Sequence, residues 1–177
     1  MWRMKDRFRR INAALLRDAA ANPDLKGMCT TLTAAVIYGN GLILGHIGDS
    51  RAYLLHHEKL VQLTRDHTLG ERLVEDGTHA PDDPLVVELR RLLLKALGTK
   101  EGECEPDVYD CLLENNDQLL LCTDGLTDMV EDVDIETIMN SSRSAESACQ
   151  SLVNQALENG GRDNVTVIIA RYSVPAQ

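Results

Sequence analysis

The sequence predicts an α/β protein of the α+β type, in which antiparallel strands bury one face under helices. Two observations carry this: short apolar and β-branched runs separated by tight-turn residues, and helical apolar stripes toward both ends of the chain. At 177 residues the chain is expected to form one domain, residues 1–177, with a substantial core. Aromatic residues make up only 3% of it, so Leu, Ile, Val, Ala and Met must fill that core.

Taken in order, Ile11, Ala14, Leu15 and Ala19 fall on one face and predict a helix over 10–20, ended by Asn22-Pro23. The basic stretch before it, residues 1–10, has no long apolar centre and no secretory processing site, and reads as a solvated or interdomain helix face. Runs 30–37 and 42–46 flank Tyr38-Gly39-Asn40-Gly41 as a hairpin, and runs 51–55 and 60–63 flank His56-His57-Glu58-Lys59 as a second. Leu69, Leu73 and Val74 predict a short helix over 68–77. Pro81-Asp82-Asp83-Pro84 marks a surface excursion. Helical spacing resumes over 85–97 and closes at Gly98, after which 108–113 and 118–123 read as a hairpin about Asn116-Asp117.

Asp132 is placed to cap a helix containing Ile135, Ile138 and Met139. Ser144 or a near neighbour opens a longer one with Ala148, Leu152 and Ala156 on its stripe, stopped by Asn159-Gly160-Gly161. Residues 165–172 are almost all apolar or threonine and are expected to form a strand in the centre of the sheet.

A formal net charge of -10 argues against affinity for a nucleic-acid backbone or an anionic bilayer, whereas an acidic cleft attracts divalent cations. The five cysteines form no CxxC pair, which predicts reduced thiols and a cytoplasmic protein; no stretch reaches transmembrane length.

Three aspartates stand at strand ends. Asp124 follows Leu119-Leu120-Leu121-Cys122-Thr123 and precedes Gly125, Asp163 follows Gly160-Gly161-Arg162, and Asp49 lies in Gly48-Asp49-Ser50-Arg51. Each could simply cap its own turn. Gathered together, however, carboxylates repel one another unless a cation compensates, and a divalent ion held by oxygens is the usual solution. The histidines offer neither HExxH nor zinc spacing and read as exposed loop residues. Asp66-His67-Thr68 resembles a catalytic dyad, but Asp66 or Thr68 as a helix cap is the stronger reading. There is no nucleophile elbow and no glycine-rich phosphate loop with lysine.

In order along the chain, Gly27-Met28-Cys29-Thr30-Thr31, His46-Ile47-Gly48-Asp49-Ser50-Arg51-Ala52-Tyr53, Leu63-Thr64-Arg65-Asp66-His67-Thr68, Leu121-Cys122-Thr123-Asp124-Gly125-Leu126 and Gly160-Gly161-Arg162-Asp163-Asn164-Val165-Thr166-Val167 resemble the PP2C-type metal-dependent protein serine/threonine phosphatases, especially bacterial members. The resemblance covers essentially the whole chain and about the C-terminal two thirds of the family's catalytic domain.

It implies a four-layer αββα sandwich of antiparallel sheets, N-terminally incomplete. It also implies two Mn2+ or Mg2+ ions, with Asp124 and Asp163 as ligands of the first and Asp49 near a third. Asn164 would orient the Asp163 loop, with Gly125 supporting the Asp124 turn. In such a site metal-bound water, held through Asp124 and Asp163, attacks the phosphorus of a phosphoserine or phosphothreonine in a protein or peptide. The family's early Asp-Gly-x-Gly-Gly-His segment, which bridges the metals, does not occur in residues 1–30. The expectation is therefore a phosphatase domain without activity on its own, open to a complementing N-terminal segment, and contacting neither nucleic acid nor membrane. A noncatalytic regulatory or protein-interaction module on the same framework is the alternative.

Overall fold

The structure, a computed structural model, describes residues 1–99 and 104–174. It divides into two compact units. One is built from Met1–Ile37, Ile43–Asp49 and Arg65–Asp110, the other from Tyr38–Leu42, Ser50–Thr64 and the chain from Cys111 onward. In chain order the elements are α1 (Trp2–Ala21), β1 (Leu32–Tyr38), β2 (Gly41–Ile47), β3 (Arg51–His56), β4 (Lys59–Gln62), α2 (Leu69–Glu75) and α3 (Pro84–Leu89). They continue as β5 (Asp107–Leu112), β6 (Gln118–Cys122), α4 (Asp124–Thr127), α5 (Asp132–Ser141), α6 (Ala145–Glu158) and β7 (Val167–Arg171). One sheet has the strand order β1-β2-β5 and the other β4-β3-β6-β7.

In the first unit α1 lies directly on β2 because Gly45 leaves room for it: a Cβ there would collide with the side chains of Met4 and Phe8. Phe8 is buried with Ile47, Leu97 and Cys104, and Met4, Leu15, Leu32 and Ala34 pack around them. Asn12, a buried polar residue on α1, ties the helix to the turn at Gly98. Its Nδ2 donates to the Thr99 carbonyl at 3.1 Å and its Oδ1 accepts from the Gly98 N–H at 2.6 Å. Gly98 is needed there, since its φ of 91° lies in the left-handed region and the Met28 carbonyl occupies the space of a side chain. Asn12→Ala would strand both backbone groups, and urea unfolding should show a loss of about 1–3 kcal/mol.

Helix α3 ends at Leu89 rather than continuing through 97. The leucines keep helical spacing, but the backbone is engaged elsewhere. The Leu92 carbonyl accepts from the Leu69 N–H at 2.8 Å, the Leu94 N–H donates to His67 O at 2.7 Å, and Leu97 exchanges both backbone bonds with Thr30. Bonds to distant segments replace those that a continued helix would have made within itself. Thr68 caps α2 through Oγ1, which accepts from the Glu71 N–H at 3.2 Å.

In the second unit β3 pairs antiparallel with β4 and β6, and β6 with β7. Alternate residues Tyr53, Leu55, Leu120, Cys122, Val167 and Ile169 share one face, packed against Leu126, Val130, Ile135, Met139, Leu152 and Ala156. Ser144 opens α6 with a reciprocal cap: its Oγ accepts from the Ser147 N–H while Ser147 Oγ accepts from the Ser144 N–H.

Three expectations change here. Strands β5 and β6 are not a hairpin, because β5 belongs to the β1-β2-β5 sheet and β6 lies between β3 and β7. Between them the Leu113 N–H bonds to Asn40 O and the Asn116 N–H to Tyr172 O, so the intervening turn is used to change sheets. Strand β7 is an edge strand, and Ile168 on its second face is 57% exposed. Apolar content tracked the packed face and could not count neighbours. Asp132 is the first residue of α5, not its cap, and accepts instead from the Tyr53 hydroxyl at 3.0 Å.

Candidate metal centre

Asp124 and Asp163 are brought together by the way β6 and β7 run out. Past the last ladder pair, Cys122 with Val167, the Thr123 N–H donates to Thr166 O at 3.1 Å and Thr123 Oγ1 accepts from the Thr166 N–H at 3.0 Å. The same hydroxyl donates to the Asn164 carbonyl at 3.1 Å. Gly125 completes the stitch, since any Cβ at this position would strike that carbonyl. The first turn of α4 therefore abuts the Asp163-Asn164 loop, and only glycine permits it.

Each aspartate also closes its own turn: Oδ1 of Asp124 accepts from the Gly125 N–H at 2.9 Å, and Oδ1 of Asp163 from the Asn164 N–H at 2.6 Å. Turn capping thus accounts for part of their chemistry. It does not account for the charge. Burial pushes the Asp124 carboxyl up from its ordinary value, and the carboxylates of Asp128 and then Asp163 add to the push against the Gly125 N–H that holds it down. Among the described residues no Lys or Arg pairs with any of these three acids. A partly desolvated carboxylate crowded by two exposed ones, without a basic partner, suits a cation held by hard oxygen ligands. Asp128, the residue that follows α4, is an acid that the strand-end pattern does not select, although its spacing of four residues from Asp124 is a usable cue. The three acids do not converge as a closed set of ligand atoms among the described residues.

Asp49 is carried by the other unit, half-buried after β2. Its turn is held by His67: the Gly48 N–H donates to His67 Nδ1 at 3.0 Å, and the His67 N–H donates back to Gly48 O at 2.8 Å. Gly48 sits at φ 111° with the Thr31 side chain where a Cβ would be. His67 in the Asp66-His67-Thr68 run is therefore a clamp on the Asp49 turn.

His46 and His67 depart from the expected exposed loop histidines. Both are buried, and their rings stack at 4.8 Å. Oγ1 of Thr33 lies 2.9 Å from His46 Nδ1, and His46 Nε2 donates to Arg65 O at 3.0 Å. Burial, with the neighbouring His67, brings the His46 pKa down to about 4, and burial likewise lowers that of His67. A cavity of this unit is lined by His67 with Arg65, Arg72, Lys95 and Asp107 among others. Its cations are each paired, Arg65 with Glu75, Arg72 with Asp76 and Lys95 with Asp107. A separate group, His56, His57 and Glu114, offers ligand atoms within 4.8 Å of one another in the second unit.

A family profile for protein phosphatase 2C matches residues 3–163. A serine/threonine phosphatase of Listeria welshimeri is 37% identical over 173 residues, 98% of this chain and 68% of that protein. The solved catalytic domain of the serine threonine protein phosphatase PstP, in complex with two manganese ions, superposes with a TM-score of 0.81 at 41% identity, over 92% of this chain and 67% of that one. The Streptococcus agalactiae serine/threonine phosphatase gives a TM-score of 0.88 at 30% identity, over 97% and 69%. The chain thus spans about two thirds of the length of these relatives, and 63% to 68% of the Listeria phosphatases.

Proposed function

Because the chain belongs to the protein phosphatase 2C family, we propose that it takes part in metal-dependent hydrolysis of phosphoserine and phosphothreonine in proteins. Its two sheets and accompanying helices are of the family's αββα sandwich class. The observation that carries the proposal is the Asp124-Asp163 junction, where the half-buried Asp124 carboxylate meets the exposed one of Asp163 without a basic partner among the described residues. We assign Asp124 and Asp163 to one Mn2+ or Mg2+ ion and Asp49 to a further one. Such ions act as Lewis acids that activate water and neutralise charge on the phosphoryl oxygens. Gly125 and the Asn164 backbone keep the two acids adjacent, Thr123 fixes the loop that bears Asp163, and His67 fixes the turn that bears Asp49.

Residues 1–177 contain no Asp-Gly-x-Gly-Gly-His segment. In this reading they form one domain equivalent to the C-terminal two thirds of a full catalytic domain, and turnover needs that segment, supplied in cis or in trans. The partner is a phosphorylated protein or peptide. Five cysteines without a disulfide support a cytoplasmic setting for this reading, and among the described residues no helix is long and apolar enough to cross a membrane.

The test is manganese-dependent hydrolysis of a phosphothreonine peptide by the 177-residue chain, alone and fused behind the corresponding N-terminal segment of a solved relative. The chain alone should be silent and the fusion active. Activity of the chain alone that disappears in Asp124→Asn would overturn the need for the added segment. A folded fusion that binds Mn2+ and still fails to hydrolyse would replace the catalytic reading with that of an interaction module.

A further inference from the structure

We infer that the tip of the β3-β4 hairpin carries a binding site for a transition-metal ion of the Zn2+ kind, formed by His56, His57 and Glu114 and separate from the aspartate centre. The ligand atoms of these three residues all lie within 4.8 Å of one another. They come from two tight turns of the second unit that face each other. One is the hairpin tip, where His57 and Glu58 take φ of 48° and 65° and Asn140 Nδ2 holds the Glu58 carbonyl at 3.0 Å. The other runs from Glu114 to Asp117, closed by the Asp117 N–H on Glu114 O and tied to Tyr172 through the Asn116 N–H.

Asp117 gives the group its direction. It is 2% exposed, its Oδ2 accepts from the Glu114 N–H at 2.8 Å, and its Oδ1 lies 2.9 Å from His56 Nδ1. A carboxylate on Nδ1 holds the proton there and leaves Nε2 of His56 as the lone-pair nitrogen, the arrangement in which outer carboxylates orient metal-ligating imidazoles. His57 Nε2 and Glu114 Oε2 are 3.2 Å apart, and an ion seated between them would replace that direct contact. Two imidazoles and one carboxylate, with the exposed side left to water, suit Zn2+ better than the all-oxygen preference of Mg2+ or Ca2+.

The site is not part of the phosphatase centre. In the β3-β6 ladder Leu55 faces Gln118 and Arg51 faces Cys122, so His56 lies beyond one end and Asp124 beyond the other. At strand rise, the four steps from Gln118 to Cys122 alone separate them by roughly 13 Å.

Zn2+ titration of the 177-residue chain, followed by calorimetry and by the ring-nitrogen NMR signals of its histidines, tests the assignment. Wild type and Asp124→Asn should both take up one equivalent that shifts the His56 and His57 ring signals. His57→Asn and Glu114→Gln should weaken this binding by at least about tenfold. Both variants change exposed side chains, and asparagine tolerates the positive φ at position 57, so unchanged amide spectra will show that the fold is intact. Zinc uptake that leaves both ring signals unmoved, equal affinity in His57→Asn, or loss of the site in Asp124→Asn would each overturn it.

Discussion

Asp124→Asn should lower manganese-dependent hydrolysis by the fused protein by at least about a thousandfold, while raising the melting temperature of the metal-free chain. The two effects share one cause. The carboxylate is held in a place that costs its charge: burial, Asp128 and Asp163 all push its pKa upward, opposed by the Gly125 N–H. A raised carboxyl pKa means that the ionised form is penalised in the folded state, so at neutral pH the unpaired charge works against folding and disappears as pH falls through the folded value. Asparagine keeps Oδ1 for the Gly125 N–H and removes the charge, relieving that penalty without breaking the turn. It also removes an anionic corner from the proposed ion site. Lewis-acid stabilisation is worth several kcal/mol of barrier, hence about a thousandfold in rate. Mn2+ should raise the melting temperature of the wild type and not of the variant, because a ion that binds only the native state stabilises it by mass action. A fall in metal-free stability with unchanged manganese response would show Asp124 to be a turn cap and nothing more.

What the sequence made legible follows from the range of the physics involved. Thr68 and Ser144 as caps, the turn at Gly160-Gly161 and the alternation of β3 and β6 are set within a few residues, and local patterning shows them. The Asp124 turn was legible for the same reason, since an acid followed by glycine after an apolar run is a local signature. Partners distant in sequence were not. Sheet membership of β5 depends on β2, and the end of α3 depends on backbone bonds to 67–69. The histidines show the limit most plainly. His46 and His67 lie in segments that look like ordinary strand and loop, yet they form a buried stacked pair. His56 and His57 look like bare hairpin residues until Glu114 and Asp117 are brought opposite them.

Acidification should destabilise the chain by about 3 kcal/mol between pH 6.5 and pH 4 through His46 alone. Its imidazole is completely buried, and burial together with His67 depresses its pKa from the ordinary 6.5 to about 4. The unfolded chain takes up a proton at this position below pH 6.5, whereas the folded chain refuses it until about pH 4. Stability therefore decreases with falling pH across that window, at about 1.4 kcal/mol per pH unit, and levels off below it. The hydrogen bonds fix the neutral tautomer: Thr33 Oγ1 donates to Nδ1, and Nε2–H donates to the Arg65 carbonyl. Protonation would give Nδ1 a hydrogen pointed at a group that must then accept it, inside a stack with a second imidazole. His67 bends the curve in the same direction, since its own pKa is lowered by burial against the pull of Asp107. His46→Gln separates the contributions, because a glutamine can offer one acceptor and one donor to Thr33 and Arg65 without titrating. Urea unfolding at a series of pH values should show the slope between pH 6.5 and pH 4 flattened in His46→Gln. An unaltered slope in a variant that folds normally would place the acid sensitivity elsewhere and remove His46 from the account.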